Sequence, residues 1–309
     1  MTKKAYFYID DVIWVFRDIT RQKPKSIFDI PFMSMLKEAH DKYGMKVQLN
    51  VFLRTDFYYG NDEFYLSEMP DSYKPEFEAA SDWLKFGFHA KQEFPDYPYV
   101  NATYEAVKED FEETKAQVIR FAGEKSFANA VCTHWLPMSK AGCKALYDCG
   151  IRLMTTGSGP TREYEGDPFT LPYGHAGRLL QNRQPETKIY KRGTKDIAID
   201  ASICGYNHFS DEDIEVNRRN FNYYTDPETG MGFKKYTNGP NLNLSTLAEL
   251  EVEIPEKIGS EFYGYATHEQ YFYSDYYGYQ PEFPAKVLRA AELVHENGYE
   301  YFFIEEIVK

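Results

Sequence analysis

Short apolar stretches typical of buried strands alternate along this chain with longer stretches whose apolar residues recur at helical spacing. Strand-like runs at Ala5–Ile9 and Val47–Leu53 flank a helix-like run at Ile30–Tyr43. The pattern continues to the end of the sequence, with a second clear helix-like run from about Tyr104 to Ala122 and a later strand-like run at Ile197–Ala201. This alternation predicts βαβ units and a parallel sheet. Seven or eight such strands in 309 residues favour an α/β fold built as a (β/α) barrel, closed or nearly closed. No glycine-rich phosphate loop follows the first strand, which disfavours a dinucleotide-binding sheet.

The alternation breaks at residues 157–195 and 205–240. The first stretch is rich in Gly, Pro, Arg and Thr, and the second in aromatic residues. Loops this long inside a compact domain are usually functional lids or small β insertions. Because no linker, internal repeat or low-complexity tract is visible, we predict a single catalytic domain, residues 1–309, with two insertions.

The formal net charge of −13 argues against a nucleic-acid partner and against binding to an anionic membrane surface. No apolar run approaches the roughly 20 residues that a membrane helix needs, and the apolar stretch near the amino terminus is too short for a signal peptide. We therefore expect a cytoplasmic protein. Aromatic residues make up 17% of the chain, which fits either a Tyr/Phe-rich core or a surface that stacks on sugar rings.

Four predicted strands end in ionisable residues: Asp10 and Asp11, His89 with Glu93 four residues on, His134, and His268. Each alone has an ordinary explanation, such as a helix cap, a hydrogen-bonded histidine or a solvated charge. Their joint occurrence is not explained by packing, because burying unpaired charge is costly. Catalytic groups of a parallel barrel lie where strands end, so we predict a carboxylate–histidine site at that edge.

Aspartate, histidine and glutamate are ligands of zinc and similar divalent ions, and three protein ligands leave room for a reactive water. We predict Asp11, His89 and Glu93 as ligands, most simply of zinc, with nickel, cobalt, iron or manganese as alternatives. Asp10 is the predicted base and His268 the predicted acid. The predicted substrate contacts are His134, which could instead be a third ligand, and Trp135 and Trp14, together with aromatic residues of 205–240.

The end of the first strand, Tyr8-Ile9-Asp10-Asp11, resembles the opening motif of the polysaccharide deacetylases, the NodB-type carbohydrate esterases. Their histidine pair at i and i+4 is matched in spacing by His89 and Glu93, and their late histidine by His268. The resemblance implies a barrel of seven strands, a first aspartate that acts as base, a second that binds metal, and a late histidine that acts as acid.

The chain departs from the family pattern at three places. Val12-Ile13-Trp14 stands where the family usually has glycine, Glu93 replaces a histidine, and His134-Trp135-Leu136-Pro137 occupies the region of an Arg-x-Pro motif. The resemblance is therefore to a distant branch of the glycoside hydrolase/deacetylase superfamily.

The leading hypothesis is metal-dependent hydrolysis of an acetyl group on a sugar or oligosaccharide. A glycoside hydrolase is the first alternative, with Asp10 or Asp11 paired with Glu93 or Glu269. The second alternative is a carbohydrate-binding relative without activity. Its evidence is the set of substituted motifs.

Overall fold

The computed structural model describes residues 3–55, 62–94, 98–99, 102–135, 138–156, 187–192, 195–200, 223–225, 229–235, 239–259 and 261–308. The strands are β1 (Lys3–Val12), β2 (Val47–Phe52), β3 (Leu84–Ala90), β4 (Ala130–Val131), β5 (Leu153–Thr156), β6 (Thr187–Arg192), β7 (Lys195–Asp200), β8 (Tyr223–Thr225), β9 (Gly232–Lys235), β10 (Phe262–His268) and β11 (Tyr299–Tyr301). The helices are α1 (Trp14–Gln22), α2 (Pro31–Tyr43), α3 (Lys74–Ala79), α4 (Tyr104–Ala122), α5 (Lys140–Asp148), α6 (Leu247–Lys257) and α7 (Phe283–Glu296).

Parallel pairing dominates the sheets. β1 pairs with β10, β11 and β2, and β2 pairs with β3, all in parallel. A second parallel set contains β4, β5 and β9, with β8 antiparallel to β9. The predicted α/β fold with a parallel sheet is therefore confirmed. β7, predicted as another strand of that sheet, instead pairs antiparallel with β6.

Single bridges join the two sets of strands. Phe86 of β3 bridges Phe127, just before β4, and Asn241 bridges Ala266 of β10. Parallel contacts therefore lead from β10 through β1, β2, β3, β4 and β5 to β9, and Asn241, in the segment after β9, bridges β10. Direct pairing of β9 with β10 is absent among the described residues, so closure into a barrel stays a prediction.

The two faces of β1 pack against different clusters. Ala5, Phe7 and Ile9 belong to the large core that also contains the apolar faces of the helices. Tyr6 and Tyr8 belong to a small separate cluster, which we call the inner cluster; its other buried members are Ala130, Leu153, Ala266, Phe302 and Ile304. Since strand side chains alternate between faces, Asp10 lies on the side of Tyr6 and Tyr8.

The helix predicted at residues 104–122 is the clearest agreement between sequence and structure. Thr103 caps α4, because its side chain accepts a hydrogen bond from the Ala106 amide, and Gly123 follows the last turn at a φ of 87°.

Within the described residues, no helix is both long and apolar enough to cross a bilayer.

Much of the two predicted insertions, 157–195 and 205–240, lies outside the described residues. The described part of the second includes β9, which pairs with β5 and thus belongs to the sheet. The aromatic side chain of Phe233 in β9 is 2% exposed, so it contributes to the core.

Candidate metal and catalytic site

The first strand ends in a distortion that turns two successive carboxylates toward one histidine. The register between β1 and β2 shifts between Ile9 and Val12, and Asp11 has a φ of 60°, which non-glycine residues rarely adopt. Asp11 Oδ1 lies 3.1 Å from His89 Nε2, and Asp10 Oδ1 lies 4.0 Å from His89 Nδ1. In a regular strand these neighbours would face opposite ways, so the bulge is what allows both to reach the site.

Three side-chain atoms from three strand ends form a nearly equilateral triangle, which we call the ligand triangle. Asp11 Oδ1 lies 3.1 Å from His89 Nε2 and 3.1 Å from His134 Nδ1, and the two ring nitrogens are 3.2 Å apart. A tetrahedral zinc ion with bonds of about 2.0–2.1 Å holds its ligand atoms roughly 3.3 Å apart. The triangle therefore fits such an ion without rearrangement.

The protonation pattern around the triangle also fits a cation. His89 Nδ1 lies against the backbone carbonyl of Cys132, which only accepts, so His89 carries its proton there and presents the lone pair of Nε2. Gln270 Nε2 donates to Asp11 Oδ2 at 2.8 Å, which leaves Asp11 Oδ1 in the triangle. All three residues are at most 5% exposed. Converging acceptors in so buried a place require a proton or a metal ion between them.

The electrostatics of the triangle favour an ionised aspartate. Burial alone would raise the pKa of Asp11, but the charge and hydrogen bond of His134, the hydrogen bond of His89 and the charge of His268 outweigh it and hold that pKa well below its usual range. Burial holds the pKa of His134 below its ordinary value, although the charge and hydrogen bond of Asp11 oppose this shift. Burial also opposes charge on His89, yet the carboxylates of Asp10 and Asp11 raise the His89 pKa. In the apo protein, His89 is therefore the better place for a proton.

Glu93, predicted as the third ligand, lies behind His134. Its Oε2 is 3.6 Å from His134 Nε2, the ring nitrogen that does not take part in the triangle. His134 Nε2 is buried and has no hydrogen-bond partner among the described residues, so Glu93 is the acceptor that faces it. The structure brings His134 to Asp11 and His89, and it brings Glu93 to His134.

The predicted base and acid lie on neighbouring strands. Asp10 of β1 is directly opposite His268 of β10 in the parallel register. His268 Nδ1 lies 3.0 Å from Asn243 Oδ1 and 3.5 Å from Asn241 Nδ2. Asn50 Nδ2 donates to Asp10 Oδ1 at 2.6 Å. Both side chains are thus oriented by an amide from an adjacent segment.

The two tryptophans predicted as substrate contacts have different environments. Trp135 is 40% exposed directly beside the triangle, and it too has a positive φ, of 59°. Trp14 is 2% exposed and packs edge-on against Tyr273 and Tyr276. Trp135 therefore exposes its side chain next to the triangle, whereas Trp14 packs in the core.

Glu269, a candidate in the glycosidase alternative, holds the amino terminus of α1. Its carboxylate accepts hydrogen bonds from the amides of Ile13, Trp14 and Val15 at 2.7–2.8 Å. Burial raises its pKa to about 7, although these amides favour the ionised form. Both oxygens are used in this contact, so nothing in the described geometry directs Glu269 toward Asp10 or Asp11.

The amides that orient the site were not among its predicted residues; they are Gln48, Asn50, Asn243 and Gln270. A signal for two of them was present, because Gln48 and Asn50 interrupt the otherwise apolar run of β2 at alternate positions. Alternate polar residues in a buried strand indicate that one face of it meets something polar.

No protein-family model matches the chain, and no curated protein matches its sequence. Similar solved structures include the 4-alpha-glucanotransferase from Thermococcus litoralis, at 11% identity over 99% of this chain and 40% of that one, with a TM-score of 0.49. A family 4 acetyl xylan esterase from Clostridium thermocellum, solved with a cobalt ion, is 14% identical over 50% of this chain and 58% of its own, with a TM-score of 0.32.

The catalytic domain of the peptidoglycan N-acetylglucosamine deacetylase from Eubacterium rectale is 9% identical over 99% of this chain and 90% of its own, with a TM-score of 0.42. Since all three TM-scores are below 0.5, we base no functional step on these likenesses. Family 4 carbohydrate esterases and polysaccharide deacetylases recur among the similar structures.

Proposed function

We propose that this chain is a metal-dependent hydrolase that removes an acetyl group from a sugar or oligosaccharide. The observation that carries the proposal is the ligand triangle of Asp11, His89 and His134, whose atoms are 3.1–3.2 Å apart. A divalent ion held there, zinc by the nature of its ligands, supplies Lewis-acid activation of water and of the acyl oxygen. Glu93 supports His134 from behind.

The residues around the triangle divide the proton transfers between them. Asp10 takes a proton from the attacking water while the oxygen of that water bonds to the acetyl carbon. His268, across the β1–β10 pair, gives a proton to the departing nitrogen or oxygen of the sugar as the acyl bond breaks. The products are acetate and the free amine or hydroxyl, so the atoms balance without a further reactant.

The carbohydrate part of the proposal draws on Trp135. An exposed indole face beside a catalytic centre is suited to stacking on a sugar ring, since both surfaces are apolar and flat. The strand-end motifs that resemble polysaccharide deacetylases point to the same class of substrate.

The first experiment is elemental analysis of the purified protein together with a His134→Ala variant. We expect about one divalent ion per chain in the wild type, lost in His134→Ala and in Asp11→Ala. His295→Ala, which changes an exposed histidine on α7, is the matched control and should keep the ion.

Acetate release from acetylated xylo- and chito-oligosaccharides then tests the reaction. It should require the ion, stop on chelation and return on adding metal back. A wild type that takes up no divalent ion, or an Asp11→Ala variant with full activity, would contradict the proposal.

A further inference from the structure

Asp10 is held by a chain of two buried side-chain amides on β2. Asn50 Nδ2 donates to Asp10 Oδ1 at 2.6 Å, and Gln48 Nε2 donates to Asn50 Oδ1 at 2.8 Å. Gln48 is 2% exposed and Asn50 is fully buried. Burying two amides costs free energy unless they are paired, so their presence needs a reason other than packing. We call Gln48 and Asn50 the amide relay.

A backbone carbonyl fixes the direction of the amide relay. Gln48 Nε2 also donates to the carbonyl oxygen of Ala130 at 3.0 Å, and a carbonyl can only accept. Gln48 therefore presents its NH₂ group to Asn50 Oδ1, and Asn50 must present its own NH₂ group to Asp10. The amide flips that leave many such contacts ambiguous are excluded here.

The amide relay treats the two oxygens of Asp10 differently. Oδ1 is the oxygen that receives the Asn50 donor, which restricts rotation of the carboxylate. Oδ2 lies 3.9 Å from the Cys132 sulfur.

The neighbouring strand leaves room for this arrangement. Gly87 of β3 is directly opposite Asn50 in the parallel register. A Cβ atom at Gly87 would lie 2.5 Å from Gln48 Nε2 and 2.7 Å from Asn50 Oδ1. Glycine inside a strand often marks the close approach of another group, and here that group is the amide relay.

We propose that Gln48 and Asn50 are positioning residues that set the orientation of the Asp10 carboxylate. This inference rests on the proposed function, in which Asp10 is the base. It adds two residues on β2 that act through Asp10 and touch neither the metal ion nor the substrate.

The test compares Asn50→Leu, a near-isosteric change that removes the donor, with the wild type in hydrolysis of 4-nitrophenyl acetate. We expect kcat to fall about 10- to 100-fold, with KM and metal content unchanged. In an Asp10→Asn background, Asn50→Leu should cause no further loss, because the relay acts only through Asp10. Thr114→Val, which changes a buried hydroxyl bonded within α4, controls for a general loss of packing and should keep kcat.

A second readout does not depend on activity. In a crystal structure of Asn50→Leu, the Asp10 carboxylate should rotate away or occupy several positions, while Asp11, His89 and His134 stay in place. If Asn50→Leu does not fold, Gln48→Met breaks the first link of the relay and should give the same displacement to a smaller extent.

An unmoved Asp10, or losses of kcat that multiply in the Asp10→Asn background, would overturn the inference. Absence of metal-dependent hydrolysis in the wild type would instead reject the proposed function. The position of Asp10 in the variant structure would still decide whether the relay orients it.

Discussion

At the scale of single residues, backbone strain is concentrated at the site. Among the described residues, the non-glycine positions with positive φ are Asp11, Trp135 and Lys23. The first belongs to the ligand triangle, the second directly follows His134, and the third ends α1. Such conformations cost on the order of 1–3 kcal/mol each and persist where the surroundings impose them. At Asp11 the strain aims a carboxylate that a regular strand would turn away.

In the proposed ligand set, His134 takes the place that was predicted for Glu93. Mutations of these two residues should therefore affect metal affinity to different extents. His134→Ala should abolish metal binding, because it removes a ligand. Glu93→Gln should only weaken it, by about 10- to 100-fold, because it removes the group that orients the His134 ring. Competition titration with a chromophoric zinc chelator measures both affinities.

Glu109→Gln, on the exposed face of α4, serves as the control and should leave affinity unchanged. Equal and complete loss in Glu93→Gln and His134→Ala would show that Glu93 is a direct ligand.

Residue spacing explains how far the sequence could predict this site. Asp11, His89 and His268 were predicted because each lies at the carboxyl end of a strand, and strand ends meet at one edge of a parallel sheet. Glu93 was chosen as a ligand because its spacing from His89 matches a known motif. That choice could not be checked without coordinates, since His134 reaches the triangle from a different strand end, 45 residues from His89.

At the scale of secondary structure, α1 shows how a distant residue can complete a helix. Its N-cap residue, Ile13, makes no side-chain capping bond, and the first turn contains no acidic residue. The cap comes instead from Glu269, more than 250 residues away, whose carboxylate accepts three amides. Sequence analysis missed α1 for this reason, whereas α4, which begins with its own Thr103 cap, was predicted with its observed bounds.

The same contact predicts a pH dependence of stability. The pKa of Glu269 is about 7 in the folded protein against 4.5 for an ordinary glutamate. The folded state therefore holds a proton that the unfolded state releases between these values. The contribution of this proton to the free energy of unfolding is complete below pH 4.5 and is lost as pH rises to about 7. The shift corresponds to about 3 kcal/mol.

Chemical denaturation of metal-free wild type and Glu269→Gln, measured from pH 4.5 to 7.5, checks this prediction. Because the glutamine does not titrate, the stability difference between wild type and variant should shrink as pH rises. Glu256→Gln, an exposed position on α6, should show no such trend. A difference that grows with pH would mean that the three amides, and not burial, control Glu269.

At the scale of the whole molecule, the strands separate two apolar regions of unequal size. The large core lies between strands and helices, and its residues could be predicted from helical periodicity and apolar strands. For the inner cluster, the strand-like run at Ala5–Ile9 predicts that Tyr6 and Tyr8 are buried, but it does not predict their separation from the large core. The single bridges that link the two sets of strands have no sequence signal either.

A glycine on β10 tests whether the inner cluster is packed as the structure shows. A Cβ atom at Gly264 would lie 2.3 Å from the Tyr6 ring. The Gly264 carbonyl also accepts a hydrogen bond from the amide of Gly239, which lies in the segment after β9. Gly264→Ala should therefore destabilise the protein by about 1–3 kcal/mol, since an overpacked core must move backbone or side chains. Gly259→Ala, where an added Cβ meets nothing within 4 Å, should be nearly neutral.

Thermal and denaturant unfolding of the two glycine variants give the comparison. If Gly264→Ala is as stable as Gly259→Ala, Tyr6 does not occupy the inner face beside β10. The alternation that places Asp10 on that face would then be wrong as well, because Tyr6, Tyr8 and Asp10 share one side of β1. Stability at Gly264 and the position of the proposed base thus depend on the same strand geometry.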